Sequence, residues 1–286
     1  MRTSYSIPEL CAAFEVSSSG YYASRQQISR PRAEANAVLL REIKVIHAHR
    51  HTRAYGSPRM TSELRDRKLS CSRNRVARLM RTAGLRARPR RPFRPKTTHP
   101  DHAAHPSLNL LKDATPPTAP GQQVVTDITY LPTKEGWLYL SVIIDLFSRC
   151  VLGWKTSTSL HADLVVHTIQ QASSAILPHS IFHSDRGCQY SSQRVRQCLA
   201  SHRWKQSMSA RGYCYDNAFA ESFFASLKAE MLPQNGVFDS IAHANLALFD
   251  YLETFYNKSR RHSSLGQISP LTFLNLYFQN LQPNLK

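Results

Sequence analysis

The sequence predicts an α/β protein in which a mixed five-stranded sheet flanked by helices follows a small all-α region. Two observations support this class. Residues 6–84 carry helical patterns with cap residues, whereas three consecutive strand-like runs and then alternating helix and strand patterns follow residue 118. The composition, with 42% hydrophobic residues and twelve each of Tyr and Phe, is typical of a folded globular protein.

Helices account for the predicted structure of the amino-terminal region. Residues 17–20 break the first helical pattern, and prolines and polar residues at 29–31 precede the third. Ser57 followed by Pro58 indicates a helix start, with Ser as the cap and Pro in the first turn. Ser72 is a second predicted cap, and Gly84 is the predicted end of its helix. The predicted helices cover residues 6–14, a segment from near Tyr21, residues 33–49, a segment from Ser57, and residues 73–83.

The helix over residues 73–83 is predicted to be amphipathic. Its apolar residues recur at helical spacing, and its basic residues share the opposite face. The buried face comprises Val76, Leu79, Met80 and Ala83, and the exposed face comprises Asn74, Arg75, Arg78 and Arg81. A basic, Asn-bearing face suits a helix that enters a DNA groove, and an ordinary solvated face is the alternative.

A basic arm follows this helix. Arg and Pro alternate between Arg86 and Lys96, and such a segment is unsuited to a core but can lie extended along a DNA backbone or in a narrow groove. The arm therefore favours DNA binding for the helix before it. Its predicted DNA-contacting residues are Arg88, Arg90, Arg91 and Arg94.

The net charge of +18 is unevenly distributed along the chain. Residues 1–120 contain 23 Lys and Arg against 8 Asp and Glu, leaving 14 and 11 for the rest, so the first part should hold most of the affinity for polyanions. Composition predicts four segments. They are an amino-terminal helical segment (1–40), a helix-turn-helix-like DNA-binding region with the basic arm (41–96), a linker (97–118) and a sheet-containing core with carboxy-terminal helices (119–286).

The core is predicted to begin with a three-stranded meander, in which Glu135 and Gly136 form a hairpin turn. Helices and strands then alternate, and two long helices complete the order. The predicted strands cover residues 122–131, 137–146, 150–157, 180–184 and 205–209. The predicted helices cover residues 161–175, 191–202, 216–231 and 239–256.

Three carboxylates carry most of the functional information. Asp127 lies inside a strand, Asp185 follows the apolar residues that end another strand, and Glu221 lies on a helix. Carboxylates brought together repel one another unless divalent cations compensate them, so a convergent set predicts a metal site and phosphoryl transfer on nucleic acid. Taken singly, each has a plain alternative: an edge-strand Asp, an Asp that starts a turn, and a solvated surface Glu.

The helix that carries Glu221 is predicted to bury Phe219, Phe223 and Leu227, which recur every four residues. Glu221, Ala225 and Lys228 then fall on the opposite face. Because seven residues make nearly two helical turns, Lys228 should stand above Glu221, with the small Ala225 between them leaving room for a DNA strand.

Several motifs of this chain resemble those of a known family. They are Thr126-Asp127-Ile128-Thr129-Tyr130, the run from His183 to Tyr190, the run from Ser207 to Glu221, the run from Tyr256 to Leu265, Ser269-Pro270, and, upstream, Tyr55-Gly56-Ser57-Pro58-Arg59 and Ala83-Gly84-Leu85. The chain resembles the second-frame (OrfB) transposase of the frameshifting, two-frame family of bacterial insertion sequences. Residues 119–286 resemble a catalytic core of the retroviral-integrase type, which has the ribonuclease H-like fold.

The resemblance implies a DDE transposase that binds transposon-end DNA, cleaves it to leave a 3′-OH and joins that 3′-OH to a second DNA site. Asp127, Asp185 and Glu221 would be both catalytic residues and ligands of two Mg²⁺ ions, with Mn²⁺ as a substitute. Lys228 would contact phosphate near the scissile bond. The implied partners are double-stranded DNA (terminal inverted repeats and target), further copies of the chain on DNA, and an upstream-frame OrfA segment.

Three other residues are weaker candidates. Arg260 and His262 match the Arg and His of the family's carboxy-terminal motif, and either DNA contact or packing of the last helix would explain Arg260. His262 is not expected to be catalytic. His183, beside Asp185, is expected to fill the sheet rather than to act in the site.

The remaining features limit the cell compartment and the competing functions. Six cysteines without a C-x-x-C pair predict reduced thiols, and no stretch approaches the roughly 18 apolar residues of a membrane span. The chain is therefore expected to be soluble and to act in the bacterial cytoplasm, at the nucleoid. Two other functions stay open: a non-specific or structure-selective ribonuclease H-like nuclease, and a DNA-binding regulator with a degenerate catalytic core.

Overall fold

The computed structural model describes residues 5–25, 31–87, 107–112, 114–209 and 218–281. Within these ranges, no helix combines the length and the apolar character needed to cross a membrane. The cysteines in these ranges are free thiols: Cys11, Cys71, Cys150, Cys188 and Cys198.

The amino-terminal region is helical, as predicted. Ser6 starts the first helix with a capping box, because its hydroxyl accepts the backbone N–H of Glu9 and its own backbone N–H donates to the Glu9 carboxylate. Ser72 caps another helix by accepting the backbone N–H of Arg75. The helices are α1 (Ile7–Ala13), α2 (Ser18–Arg25), α3 (Pro31–Ala48), α4 (Ser57–Asp66) and α5 (Arg73–Thr82), with a 3-10 turn at Thr52–Ala54.

Two predicted helix starts were wrong. Helix α2 begins at Ser18, because Ser17 accepts the backbone N–H of Gly20 through its hydroxyl and so initiates a helix where a break was expected. The cap of α4 is Gly56 and not Ser57, which is already helical. Glycine supplies no side-chain acceptor there, so the start of α4 depends on Pro58 and on its packing.

The sheet has the predicted five strands and mixed topology. They are β1 (Gln123–Thr133), β2 (Gly136–Asp145), β3 (Val151–Ser157), β4 (Ile181–Ser184) and β5 (Lys205–Met208), arranged in the order β3-β2-β1-β4-β5. Strands β1, β2 and β3 pair antiparallel, whereas β4 pairs parallel to both β1 and β5. This arrangement confirms the predicted α/β class and makes β1 the central strand.

Helices cover both faces of the sheet. They are α6 (Ala162–Ala172), α7 (Cys188–Ser191), α8 (Gln193–Ser201), α9 (Ala218–Met231), α10 (Ile241–Phe249) and α11 (Pro270–Leu281), and α10 continues into a π-helical segment (Asp250–Tyr256). Sequence periodicity predicted neither α7 nor α11. The first is a single turn of four residues, and the second fully buries only Pro270.

Two hydrophobic cores lie on opposite faces of the sheet. One packs α6 and α8 against Val124, Ile143 and Phe182. The other continues from Val125 and Leu131 through α9 and α10 into the amino-terminal helices α3, α4 and α5. The amino-terminal helices therefore share a core with the face of the sheet that α9 covers.

Ion pairs also join α4 to the core. Arg59, Glu63 and Asp66 lie on one face of α4, at spacings of four and three residues. Arg59 bonds the carboxylate of Glu230 at the end of α9 (3.1 Å), and Arg261 bonds both Glu63 and Asp66. Glu230 is only 4% exposed, so its negative charge lies within the interface between the two regions.

Candidate active site

Asp127 lies near the middle of the central strand. It stands opposite Val142 of β2, and strand alternation places it on the same face as Val125 and Leu131, the face that α9 covers. The backbone N–H of Ile128 donates to its Oδ1 (2.8 Å). The side chain is half-buried, so a carboxylate is presented at the junction between β1 and α9.

Asp185 is the first residue after β4. Its Oδ1 accepts the backbone N–H of Gly187 (2.9 Å). A Cβ atom at Gly187 would lie 3.0 Å from that same oxygen, so glycine allows the backbone to approach the carboxylate closely. The turn after β4 therefore fixes the orientation of Asp185.

The strand register places the two aspartates side by side. Strands β1 and β4 run parallel, and their pairing ends at Val125 and His183. Asp127 lies two residues beyond Val125 in β1, and Asp185 lies two residues beyond His183, just after β4. Adjacent strands lie about 4.8 Å apart. The two carboxylates therefore share one end of the β1–β4 pair, where active-site groups of α/β proteins gather.

The electrostatics of these residues agree with that placement. Burial raises the pKa of Asp185 above its ordinary value, although the hydrogen bond from Gly187 opposes the shift. Tyr190 is 2% exposed, and its hydroxyl lies 3.3 Å from the hydroxyl of Thr126. Burial raises the pKa of Tyr190, and the negative charges of Asp127 and Asp185 raise it further. Tyr190 thus lies close to both aspartates. Its place in the His183–Tyr190 motif did not reveal this proximity.

Lys228 of α9 supplies a cation close to Asp127. Burial lowers its pKa to about 8, and the nearby carboxylate of Asp127 opposes that shift. The side chain of Lys228 is half-buried. The structure therefore brings Lys228 close to Asp127.

Glu221 has a different position. It is exposed on the first turn of α9. Among the described residues, no three His, Cys, Asp or Glu side chains are close enough together to hold a metal ion. The carboxylates of Asp127 and Asp185 are hard oxygen donors, of the chemistry that Mg²⁺ and Mn²⁺ prefer.

The predicted buried face of α9 needs one correction. Phe223 and Leu227 are buried as expected, but Phe219 is 46% exposed. The buried stripe of the helix instead follows Ala220, Phe223, Phe224, Leu227, Glu230 and Met231. Phe219 lies beside this stripe, and the guanidinium of Arg149 lies 4.0 Å from the centre of its ring.

Arg260 is not available to DNA in this structure. Its side chain is buried and donates to both carboxylate oxygens of Glu230 (2.6 and 2.7 Å). The observed partner lies on α9 rather than on the last helix, and contact of Arg260 with DNA stays a prediction. Burial and the charges of Arg260, Arg59 and Arg149 lower the pKa of the neighbouring His262 to about 2. His262 is thus a neutral packing residue.

His183 fills the sheet, as predicted. It is fully buried, and its ring nitrogens lie 2.8 and 3.0 Å from the hydroxyls of Ser207 and Ser209 on and beside β5. These contacts join β4 to β5 next to the site.

The basic face of α5 is partly as predicted. Arg78 and Arg81 are exposed. Arg75 is half-buried, because its Nε donates to Asn36 of α3 (2.8 Å), and it therefore contributes to helix packing. Four further predicted DNA contacts, Arg88, Arg90, Arg91 and Arg94, lie outside the described residues.

The chain is similar to several known proteins and family models. An HTH-like domain matches residues 33–93, and integrase core domains match residues 117–214 and 202–270.

The transposase InsF for insertion sequence IS3A of Escherichia coli (strain K12) is 39% identical over 282 residues, covering 95% of this chain and 94% of the relative. An uncharacterized 31 kDa protein of insertion element IS600 from Shigella sonnei is 38% identical over 272 residues, covering 94% of this chain and 99% of the relative. Among solved structures, the HTLV-2 integrase catalytic core domain in complex with magnesium is 18% identical, with a TM-score of 0.40, and the match covers 55% of this chain and 98% of that one.

Proposed function

This chain belongs to the family of insertion-sequence transposases that includes InsF, and we propose that Asp127, Asp185 and Glu221 are its catalytic carboxylates. As a member, it is a DNA transposase with an integrase-type core, a polynucleotidyl transferase that cleaves and joins DNA. The residue assignment is supported above all by the parallel pairing of β1 and β4, because Asp127 and Asp185 each lie two residues beyond the last paired residues, Val125 and His183.

The two aspartates are suited to holding divalent cations, which we propose to be two Mg²⁺ ions with Mn²⁺ as a substitute. When bound, such ions activate the attacking oxygen and stabilise the leaving oxygen of a phosphodiester. Asp185 supports the assignment because its raised pKa reflects burial of a negative charge that a cation would compensate. The backbone N–H of Gly187 donates to the Oδ1 atom of this carboxylate and so restrains it.

Glu221 is proposed to complete the carboxylate set from the first turn of α9. Three carboxylates repel one another strongly, so their convergence depends on a compensating positive charge. The same helix carries Lys228 beside Asp127, so α9 is the element that connects Glu221 to the aspartates. We expect Glu221 to approach Asp127 and Asp185 when cations are bound.

Lys228 is proposed to contact a DNA phosphate next to the scissile bond. Burial alone makes its charged form less favourable, whereas a phosphate in contact with the ammonium group would favour that form. Binding of DNA should therefore keep Lys228 protonated above neutral pH.

DNA recognition is proposed for the amino-terminal region. The exposed Arg78 and Arg81 of α5, with the arm residues Arg88, Arg90, Arg91 and Arg94, would bind the terminal inverted repeat. We also propose that the segments of the chain meet at residues 40, 96 and 118, and that several copies assemble on DNA. An OrfA segment is a further proposed partner, and the nucleoid is the proposed place of action.

A strand-transfer assay tests the proposed function. The chain, with Mg²⁺ and a duplex that ends in the element's own inverted repeat, is expected to release a 3′-OH and join it to a second duplex. A duplex with a scrambled end serves as the control. Equal cleavage of both duplexes without any joined product would indicate a nuclease without end specificity and contradict the proposal.

Salt dependence tests the recognition surface. Replacing Arg78 and Arg81 together by Gln is expected to weaken binding to the end duplex and to lower the log–log salt slope by roughly 1 to 2, because each phosphate contact contributes about 0.9. Binding would be measured by fluorescence anisotropy across a salt series. The matched control replaces the exposed Arg203 and Lys205 of the core by Gln, which removes the same charge. Equal slopes for the two variants would contradict the assignment of α5.

A further inference from the structure

The turn between β2 and β3 holds Arg149 in an unusual conformation. The backbone of Arg149 has φ +65°, in the left-handed region that residues other than glycine rarely adopt. The fully buried Asp145 fixes this turn: its Oδ2 accepts the backbone N–H (2.8 Å) and hydroxyl (2.5 Å) of Ser148, and its carbonyl accepts the backbone N–H of Arg149 (2.9 Å). Conformations of this kind persist where the surrounding structure determines them, often beside functional sites.

The guanidinium of Arg149 stacks on an aromatic ring. Its Cζ lies 4.0 Å from the ring centre of Phe219, well within the range of a cation–π contact. Its buried Nη1 has no hydrogen-bond partner among the described residues. No carboxylate of the described residues lies within salt-bridge distance of Arg149, and the ring of Phe219 is a direct contact of its guanidinium.

Phe219 lies near the start of α9 as the structure describes it. It lies on the first turn of the helix, two residues before Glu221. The first turn of a helix frays readily, because its N–H groups lack partners within the helix. Ala220 anchors one side of this turn in the hydrophobic core, whereas the exposed ring of Phe219 lies outside the buried stripe. The contact with Arg149 therefore restrains the exposed side of the turn, which also carries Glu221.

We propose that Arg149 is a positioning residue that holds the first turn of α9, and with it Glu221, through its contact with Phe219. The chain of contacts runs from the buried Asp145 through the turn to Arg149, and from Arg149 to the ring. This inference rests on the proposed function, since it assigns Glu221 to the carboxylate set.

The variant Arg149→Gly tests this inference with little risk to folding, because glycine adopts positive φ freely. Two measurements without DNA are informative: hydrogen exchange of the backbone amides of residues 222–224, and Mn²⁺ binding followed by electron paramagnetic resonance. Both are expected to change by roughly 3- to 30-fold, toward faster exchange and weaker binding, the range for one cation–π contact. Arg203→Gly is the matched control, because Arg203 also has positive φ (+58°) but lies in the turn before β5, and it should leave both unchanged.

A second variant separates the stacking contact from other effects of the arginine. Phe219→Leu removes the ring and should change both measurements as Arg149→Gly does, and the double variant should add little to either single change. Additive effects, or unchanged exchange in Arg149→Gly, would overturn the positioning role.

Failure of the proposed function is distinguishable from failure of this inference. If the unmodified chain binds no Mn²⁺, or if Asp185→Asn binds Mn²⁺ as well as the unmodified chain does, the metal assignment fails while hydrogen exchange still tests Arg149. If Asp185→Asn loses Mn²⁺ binding and Arg149→Gly retains both normal exchange and normal binding, the metal assignment stands and the positioning role is refuted.

Discussion

The variant Asp185→Asn is expected to lose DNA cleavage and strand transfer by about 10³-fold or more while keeping its fold. Asparagine has the shape of the aspartate, and its side-chain oxygen can still accept the backbone N–H of Gly187. It lacks the negative charge that a divalent cation requires. Initial rates of cleavage of an end duplex in Mg²⁺ would measure the loss.

The same variant should be at least as stable as the unmodified chain without metal. Burial raises the pKa of Asp185, so the folded state holds the ionised carboxylate less favourably than the unfolded state does. At neutral pH this group therefore opposes folding, and asparagine removes that opposition. Urea unfolding in the presence of a chelator would measure the difference in the free energy of unfolding. Residues of functional sites often lower stability in this way, because they are selected for activity.

The exposed Asp239 is a matched control, because it pairs with Lys134 on the surface. Asp239→Asn removes an equal charge and should leave cleavage unchanged. Normal cleavage by Asp185→Asn, or an equal loss in Asp239→Asn, would contradict the catalytic assignment.

The variant Arg260→Leu is expected to lower the free energy of unfolding by about 3–5 kcal/mol, because it leaves the charge of a buried carboxylate poorly compensated. Glu230 is 4% exposed and accepts two hydrogen bonds from Arg260 and one from the hydroxyl of Tyr251. Burial alone would raise the pKa of Glu230, but the charges of Arg260 and Arg59 hold it below its ordinary value. Chemical denaturation at neutral pH would measure the loss.

Arg59→Leu is the matched comparison, since it removes the other arginine of the same carboxylate. Glu230 would keep both bonds from Arg260, so the loss should be clearly smaller than in Arg260→Leu. If Arg260→Leu instead kept full stability and lowered the salt slope of DNA binding, the structural assignment of Arg260 would be wrong and the predicted DNA contact would be supported.

The order of helices and strands followed from local signals in the sequence. Periodicity, the caps at Ser6 and Ser72, and the hairpin turn at Glu135 and Gly136 act over a few residues, so they are readable without a fold. The same signals failed where one short segment could either break a helix or start one. Ser17 starts α2 through its hydroxyl, where serine and glycine together suggested a break.

Side-chain roles that depend on distant partners were harder to predict. The sequence showed a carboxy-terminal Arg but not its partner Glu230, which lies 30 residues away on α9. The sequence analysis placed Phe219 on the buried face of α9, because Phe219 lies four residues before Phe223. In the structure the buried face begins at Ala220, and Phe219 lies at its exposed edge. Neither Tyr190 nor Arg149 carried a signal of its own, since each acts through residues brought near by the fold.

By itself, the sequence determined the α/β class, the family and the three carboxylates proposed for catalysis, because residue type and local spacing are recorded in the chain. Only the tertiary structure decided which charges meet. The parallel pairing of β1 with β4 ends two residues before Asp127 and Asp185 and so carries both to the same end of the two strands. The packing of α9 on β1 brings Lys228 close to Asp127 and leaves Glu221 exposed on the first turn. Electrostatic interaction depends on distance and burial in space, and neither quantity follows from separation along the chain.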